Sequence, residues 1–365
     1  MSTESAAVAA REDLAPPVVD RSRLRRHVLT LGLIITIVVA LITLVPGLAS
    51  LRTRFSHGNA GWLTVGACLK VLSAFSYVVV FRSVFCRRMS WRLSTEIGLS
   101  ELGANAVIPT GGAGGLALGA WALHRAGMDG GRIARRSVAF FFLTSVPNVL
   151  GVIILGLGLA VGVFEGRAGL GLTLVPAIVA AAAIVATISG GRWAGTLERR
   201  FAARSSASSH LARVLRALSG GVEEALALLR ARDPLLLFGL VGYLAFDVMI
   251  LWATFHAFGS APPLAIVWIG YLIGELGGLI PVPGGIGGVD LGLVGTLVLY
   301  HVPLTAATAA VLAYRALALL IPAALGVVAF ALLRRSLARE ALEISICEPG
   351  EQVEVIGRGT VRLTA

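Results

Sequence analysis

Six ionisable side chains stand inside or against long apolar runs: Lys70, Glu101, Asp247, Glu275, Asp290 and Arg315. A charged group at mid-bilayer costs about 2.5–3.5 kcal/mol on insertion scales, so such residues read as functional by default. Arginine can grip a phosphate or carboxylate through two parallel N–H bonds. Arg315, next to Tyr314, lies too deep in its run to reach water easily, and either a phosphate or an ion pair with Asp290 or Glu275 would justify it. Buried carboxylates can carry a proton, bind an amine or neutralise a cation. Lys70 is the only lysine in the chain and, like Asp247, stands midway along an apolar run. An ion pair between these two, or with a residue near them, is expected as a structural or coupling element.

Two glycine-rich phrases supply the other chemistry. Ile108-Pro109-Thr110-Gly111-Gly112-Ala113-Gly114-Gly115 and Ile280-Pro281-Val282-Pro283-Gly284-Gly285-Ile286-Gly287-Gly288 resemble each other, and Leu118-Gly119 in the first matches Leu291-Gly292 in the second. Proline and clustered glycines break a helix, and hydrocarbon tolerates a break only where protein or a water-filled cavity surrounds it. A helix restarting after each phrase presents free N–H groups and about half a positive charge, which suits an anion such as phosphate. The carbonyls ending the preceding helix suit a cation or proton donor. Asp290 falls in the first turn after the second phrase, as a cap or as a ligand for substrate or proton. Asn105, four residues before Pro109, is placed to satisfy broken backbone. Packing of helices through small residues is the competing explanation for the glycines. The candidate binding set is thus Glu101, Asn105, Pro109, Gly111, Gly112, Gly114, Glu275, Pro283, Gly284, Gly285, Gly287, Gly288, Asp290 and Arg315.

The elements that must hold these residues are membrane helices. Hydrophobic residues make up 56% of the chain and charged residues 14%, with a mean hydropathy of +0.86. Apolar runs at about 27–51, 61–81, 102–123, 137–163, 170–190, 235–258, 262–300 and 303–333 are each near or above the roughly 20 residues that span a bilayer. The net charge of +11 gathers as arginines beside these runs, which is the positive-inside pattern rather than a nucleic-acid surface. Arg21, Arg23, Arg25 and Arg26 place the N-terminus in the cytoplasm. Keeping Arg125, Arg132, Arg135 and Arg136 there too requires 94–108 to descend and 112–125 to return on the same face. The same bias makes 262–300 a hairpin from the outer face. The expected fold is therefore all-α and polytopic, with six crossings and two re-entrant hairpins in an inverted repeat. Residues 1–26 are expected to form a disordered basic tail, 27–335 the membrane domain and 336–365 a short tail, both ends lying on the cytoplasmic side of the cell membrane. The stretch 191–234 reads as a cytoplasmic amphipathic linker helix, broken at Gly220-Gly221.

No enzyme signature is present, and neither a metal site nor a cofactor is expected: there is no His-Glu-x-x-His, nucleophile elbow, Gly-x-x-x-x-Gly-Lys or Cys/His cluster. The Ile280–Asp290 phrase, followed by Arg315, resembles the lysylphosphatidylglycerol synthase transmembrane-region family of flippase-like membrane proteins, as does Asn105-x-x-x-Pro109 with its glycine-rich sequel. The resemblance covers about 27–335. Many members carry Arg and Glu after the first proline where this chain has Thr110 and glycines, and many carry Glu where it has Asp290. The soluble aminoacyl-transfer domain of the full-length synthases is absent from this sequence. The resemblance implies a flippase for a lipid with an anionic or zwitterionic headgroup, partnered by membrane lipid and by either a membrane-bound transferase or further copies of itself. The other readings are an ion- or proton-coupled carrier of a small anion and an accessory subunit of a lipid- or polyprenyl-linked transferase.

Overall fold

The computed structural model describes residues 58–107, 113–165, 169–202, 209–259, 261–275 and 288–336. Among these residues it holds ten helices and no strand: α1 (Ala60–Phe85), α2 (Trp91–Val107), α3 (Ala113–Arg125), α4 (Gly130–Ala160), α5 (Leu170–Ala202), α6 (Ser209–Arg230), α7 (Pro234–Ala257), α8 (Leu264–Glu275), α9 (Gly288–Leu299) and α10 (Leu304–Ser336). The first apolar run, both tails and most of each glycine phrase lie outside the described residues.

Five helices are long and apolar enough to cross a membrane: Ala60–Phe85, Gly130–Ala160, Leu170–Thr187, Pro234–Ala257 and Leu304–Arg335. Polar caps fix where several of them begin. The Asn59 side chain accepts from Gly61 N at 2.9 Å, Asp129 accepts from Arg132 N at 3.0 Å, and Asp233 precedes Pro234 at the first position of α7. The Asp129 cap starts α4 seven residues ahead of the run expected from hydropathy at Ser137. The outward faces stay apolar, as Val175, Ile178 and Val185 of α5 illustrate. Such continuous apolar surface suits lipid and not water. The chain is a multi-pass membrane protein.

Helices α3, α8 and α9 are shorter. At 1.5 Å per residue, 12 or 13 residues reach roughly 18–20 Å, against a hydrocarbon core of about 30 Å. They pair as α2 with α3 and α8 with α9.

Two apolar cores organise the bundle. One gathers Phe81, Leu93, Ile97, Leu123 and Phe140 around α2 and α3, and the other gathers Ile250, Leu251, Ile269, Leu293 and Val311 around α8 and α9. Helices α1 and α7 run antiparallel through both. Asn59 N donates to Ala257 O at 2.8 Å at one end, while Gly239 lies against Ser76 and Val79 towards the other. The principal contacts show a regularity: exchanging α1 with α7, α2 with α8, α3 with α9 and α4 with α10 returns the same neighbour relations. Thus α2 packs on α10 as α8 packs on α4, and α1 touches α4 as α7 touches α10. The crossing of α2 and α10 is tight, because a Cβ on Gly103 would stand 2.6 Å from Gly326 Cα.

The expected break at Gly220-Gly221 is absent, for α6 runs unbroken from Ser209 to Arg230. Those glycines instead allow close packing on α4, since a Cβ on Gly221 would stand 2.5 Å from Val138 Cβ. Glu224 ties α6 down further, at 2.7 Å from Arg136 Nε and 3.4 Å from Arg135 Nε.

Candidate functional site

Lys70 and Asp247 meet where α1 crosses α7. Nζ lies 2.8 Å from Oδ1, and the two residues are only 4% and 5% exposed. Along α7 the neighbours change from one apolar core to the other between Tyr243 and Leu244, one turn from Asp247. The ion pair therefore sits at the seam of the two cores. The Tyr271 hydroxyl of α8 reaches the other Asp247 oxygen at 3.5 Å.

A second pair joins α9 and α10. Arg315 Nε stands 2.9 Å from Asp290 Oδ1. Asp290 occupies the first turn of α9, where the helix dipole favours a carboxylate. Glu275, the last residue of α8, lies within electrostatic reach of Arg315, Asp247, Lys70 and Asp290. It connects the two pairs into one cluster without itself forming an ion pair among the described residues. Tyr271 and Tyr314 close the cluster, their ring centres 6.0 Å apart and nearly perpendicular.

Glu101 occupies the related place in α2 and is buried. The Tyr77 phenol hydrogen-bonds to its carboxyl group. Tyr243 lies within electrostatic reach of Asp247, Glu275 and Glu101. Rings of Tyr77 and Tyr243 lie 5.6 Å apart. The residues around Glu101 also show why glycines recur in the first turns of α3. Asn105 Oδ1 accepts from Gly115 N at 2.8 Å, so one of the orphan N–H groups in the first turn of α3 is taken by the protein. A Cβ on Gly119 would fall 2.6 Å from a Glu101 carboxylate oxygen, and a Cβ on Gly292 would fall 3.0 Å from Gly274 O.

The structure thus brings together Lys70, Asp247, Glu275, Asp290 and Arg315, with Glu101 and Asn105 on α2, which packs against α3. Gly114 and Gly288 stand at the starts of α3 and α9. Pro109, Gly111, Gly112, Pro283, Gly284, Gly285 and Gly287 lie outside the described residues. His256 is held between Trp62 and Trp252, with ring centres at 4.6 and 4.1 Å, and takes no part. The four tyrosines were not singled out by sequence reasoning. A usable signal was there: Glu-Leu-Gly occurs at 101–103 and again at 275–277, marking both carboxylates as one repeated position. Two cations against four carboxyl groups make a site that can exchange one anion for another at its arginine, and take up a cation or proton at its carboxylates.

The sequence model of the lysylphosphatidylglycerol synthase transmembrane region matches residues 29–326. The chain belongs to that family. The matched stretch contains both glycine phrases and all six of these ionisable residues, so the cluster lies wholly within the family's domain. No curated protein matches the chain.

Proposed function

We propose that this member of the family is a lipid flippase, carrying a lipid with a phosphate-bearing headgroup across the cell membrane with both its termini in the cytoplasm. The observation that carries this reading is two ion pairs held inside the helix bundle: Lys70–Asp247, buried where α1 crosses α7, and Arg315–Asp290, half-buried between α9 and α10. A protein that merely filled the bilayer would gain little from four charges withdrawn from water wholly or in part, since desolvation commonly offsets the attraction within such pairs.

In this reading α2–α3 and α8–α9 are re-entrant hairpins entering from opposite faces, with apices in 108–112 and 276–287, outside the described residues. Two observations support it: α1 and α7 are antiparallel, and the packing relations among α1–α4 and α7–α10 survive exchange of the two halves. That is the pattern of an inverted repeat with its site near the midplane. Both return arms then begin in mid-membrane. A headgroup phosphate meets the α9 N-terminus at Gly288 and the guanidinium of Arg315, displacing Asp290 as counter-ion. Arg315 is neutralised before, during and after passage, which keeps the barrier low. The acyl chains remain in lipid throughout. The chain binds and releases without covalent chemistry, so it acts as a carrier and not as an enzyme.

The test is translocation of a fluorescent phospholipid in reconstituted vesicles, read by chemical quenching of the outer leaflet. Arg315→Gln and Asp290→Asn are each expected to slow it at least about tenfold, roughly 1.4 kcal/mol in barrier. Unchanged rates in both folded variants would overturn the assignment. Uptake of a water-soluble anion with no lipid movement would turn the reading to the small-anion carrier.

A further inference from the structure

A second site lies apart from the ionic cluster. A groove of about 960 Å³ opens between α3, α4, α5 and α6, and none of the six ionisable residues around the ion pairs lines it. Its volume is that of a ligand pocket. Its walls are apolar and include Trp121, Phe141, Ala183, Val214 and Leu218. Phe141, Val214 and Leu218 remain 48%, 55% and 43% exposed, so the described chain leaves them uncovered.

Along α4 the lining runs from Gly130 to Val149. At 1.5 Å per residue this is about 28 Å, more than the roughly 15 Å depth of one leaflet. A lipid chain entering at the Gly130 end can thus lie fully inside. The charge at that end is positive. Residues 124–136 hold four arginines, facing the carboxylates Asp129 of the same stretch and Glu224 of α6. Of the carboxylates, Glu224 spans Arg135 and Arg136 and Asp129 caps α4. Arg125 lies over the Trp121 ring at 5.8 Å, at the mouth of the groove.

We propose that this groove binds the acyl chains of an anionic phospholipid, with its headgroup at the arginine rim. Apolar walls contributed largely by the candidate spans α4 and α5 select a lipid chain over a soluble ligand, and the basic rim selects a negative headgroup. That the lipid comes from the cytoplasmic leaflet rests on the orientation proposed above; the binding itself does not.

The experiment uses the full chain in phosphatidylcholine nanodiscs doped with a chain-photoactivatable phosphatidic acid or, separately, the matching phosphatidylcholine. Crosslinks are mapped by mass spectrometry. The acid probe should label α4 and α6 at least about fivefold more than the choline probe, roughly 1 kcal/mol of preference. Ser145→Trp and Ala183→Trp fill the groove from opposite walls, and each should cut the labelling by a similar factor. Arg132→Gln should reduce the preference for the acid probe while chain labelling persists. Equal labelling by both probes, or labelling untouched by the tryptophans, would overturn the proposal. If one tryptophan variant no longer elutes as a single species, the other decides. Labelling is read without transport, so its failure leaves the flippase reading standing, and a chain that binds here yet moves no lipid refutes only the latter.

Discussion

Lys70 and Asp247 are 2.8 Å apart although 177 positions separate them in the chain, and they join the two halves at the point where the apolar cores meet. Each charge makes the other tolerable. The pair also fixes the register of α1 on α7, because a slip of one residue would leave both charges in apolar surroundings.

Removing one partner is therefore expected to be much worse than removing both. Lys70→Met or Asp247→Leu alone should destabilise by about 3–5 kcal/mol, since each strands a buried charge. The double variant Lys70→Met/Asp247→Leu should recover most of that loss. Thermal unfolding in detergent, run as a double-mutant cycle, measures the difference. Additive losses would mean that the pair is not coupled.

At the second pair the prediction concerns reach. Asp290 sits in the first turn of α9 and meets Arg315 Nε at 2.9 Å. Asp290→Glu keeps the charge with one more methylene, so the pair should persist through a rotamer change. Translocation and melting temperature should stay close to the parent, whereas Asp290→Asn should lose translocation as argued above. A glutamate variant as inactive as the asparagine one would show that geometry, not charge, is decisive.

Much of this arrangement was legible in the sequence. Hydropathy and arginine placement marked five spans that the helices Ala60–Phe85, Gly130–Ala160, Leu170–Thr187, Pro234–Ala257 and Leu304–Arg335 match. Their ends were less legible, because a cap such as Asp129 extends a helix beyond its apolar run. The Lys70–Asp247 pair was legible because lone opposite charges in apolar surroundings have few ways to be satisfied. The tyrosines around Glu101 and Glu275 were not, since a tyrosine in a membrane helix carries no sign of whether its hydroxyl meets a carboxylate or lipid headgroups. Nor did Gly220-Gly221 reveal its role. A glycine pair reads equally as a break or as a close contact, and only the position of Val138 distinguishes the two.

Sidedness yields a direct test. In a background with all cysteines replaced by serine, Gly130→Cys places a thiol at the start of α4, where an added Cβ meets nothing within 4 Å. Leu304→Cys places one at the exposed start of α10. The charge bias puts the first inside and the second outside. In whole cells, a membrane-impermeant maleimide should label only the second. Labelling of both from the same side would exclude hairpins that enter from opposite faces.

A close approach between the two halves gives the last prediction. Gly103 of α2 faces Gly326 of α10, and an added Cβ would stand 2.6 Å from Gly326 Cα and 2.8 Å from Pro322 O. Both are backbone atoms, which no rotamer change can move aside. Gly103→Ala must push α2 from α10, at a cost of about 1–3 kcal/mol for overpacking. Gly295 of α9 is the control, because its added Cβ meets nothing within 4 Å. There alanine should be neutral or stabilising by up to about 1 kcal/mol, from helix propensity. The two substitutions are chemically identical, so any difference in melting temperature reports packing alone. Gly103 is two residues from Glu101, so a displaced α2 also carries that carboxylate away from Tyr77. Gly103→Ala should thus lose translocation beyond its loss of folded protein, while Gly295→Ala should not. Equal melting temperatures for the two would mean that α2 and α10 do not cross as closely as Gly103 and Gly326 imply.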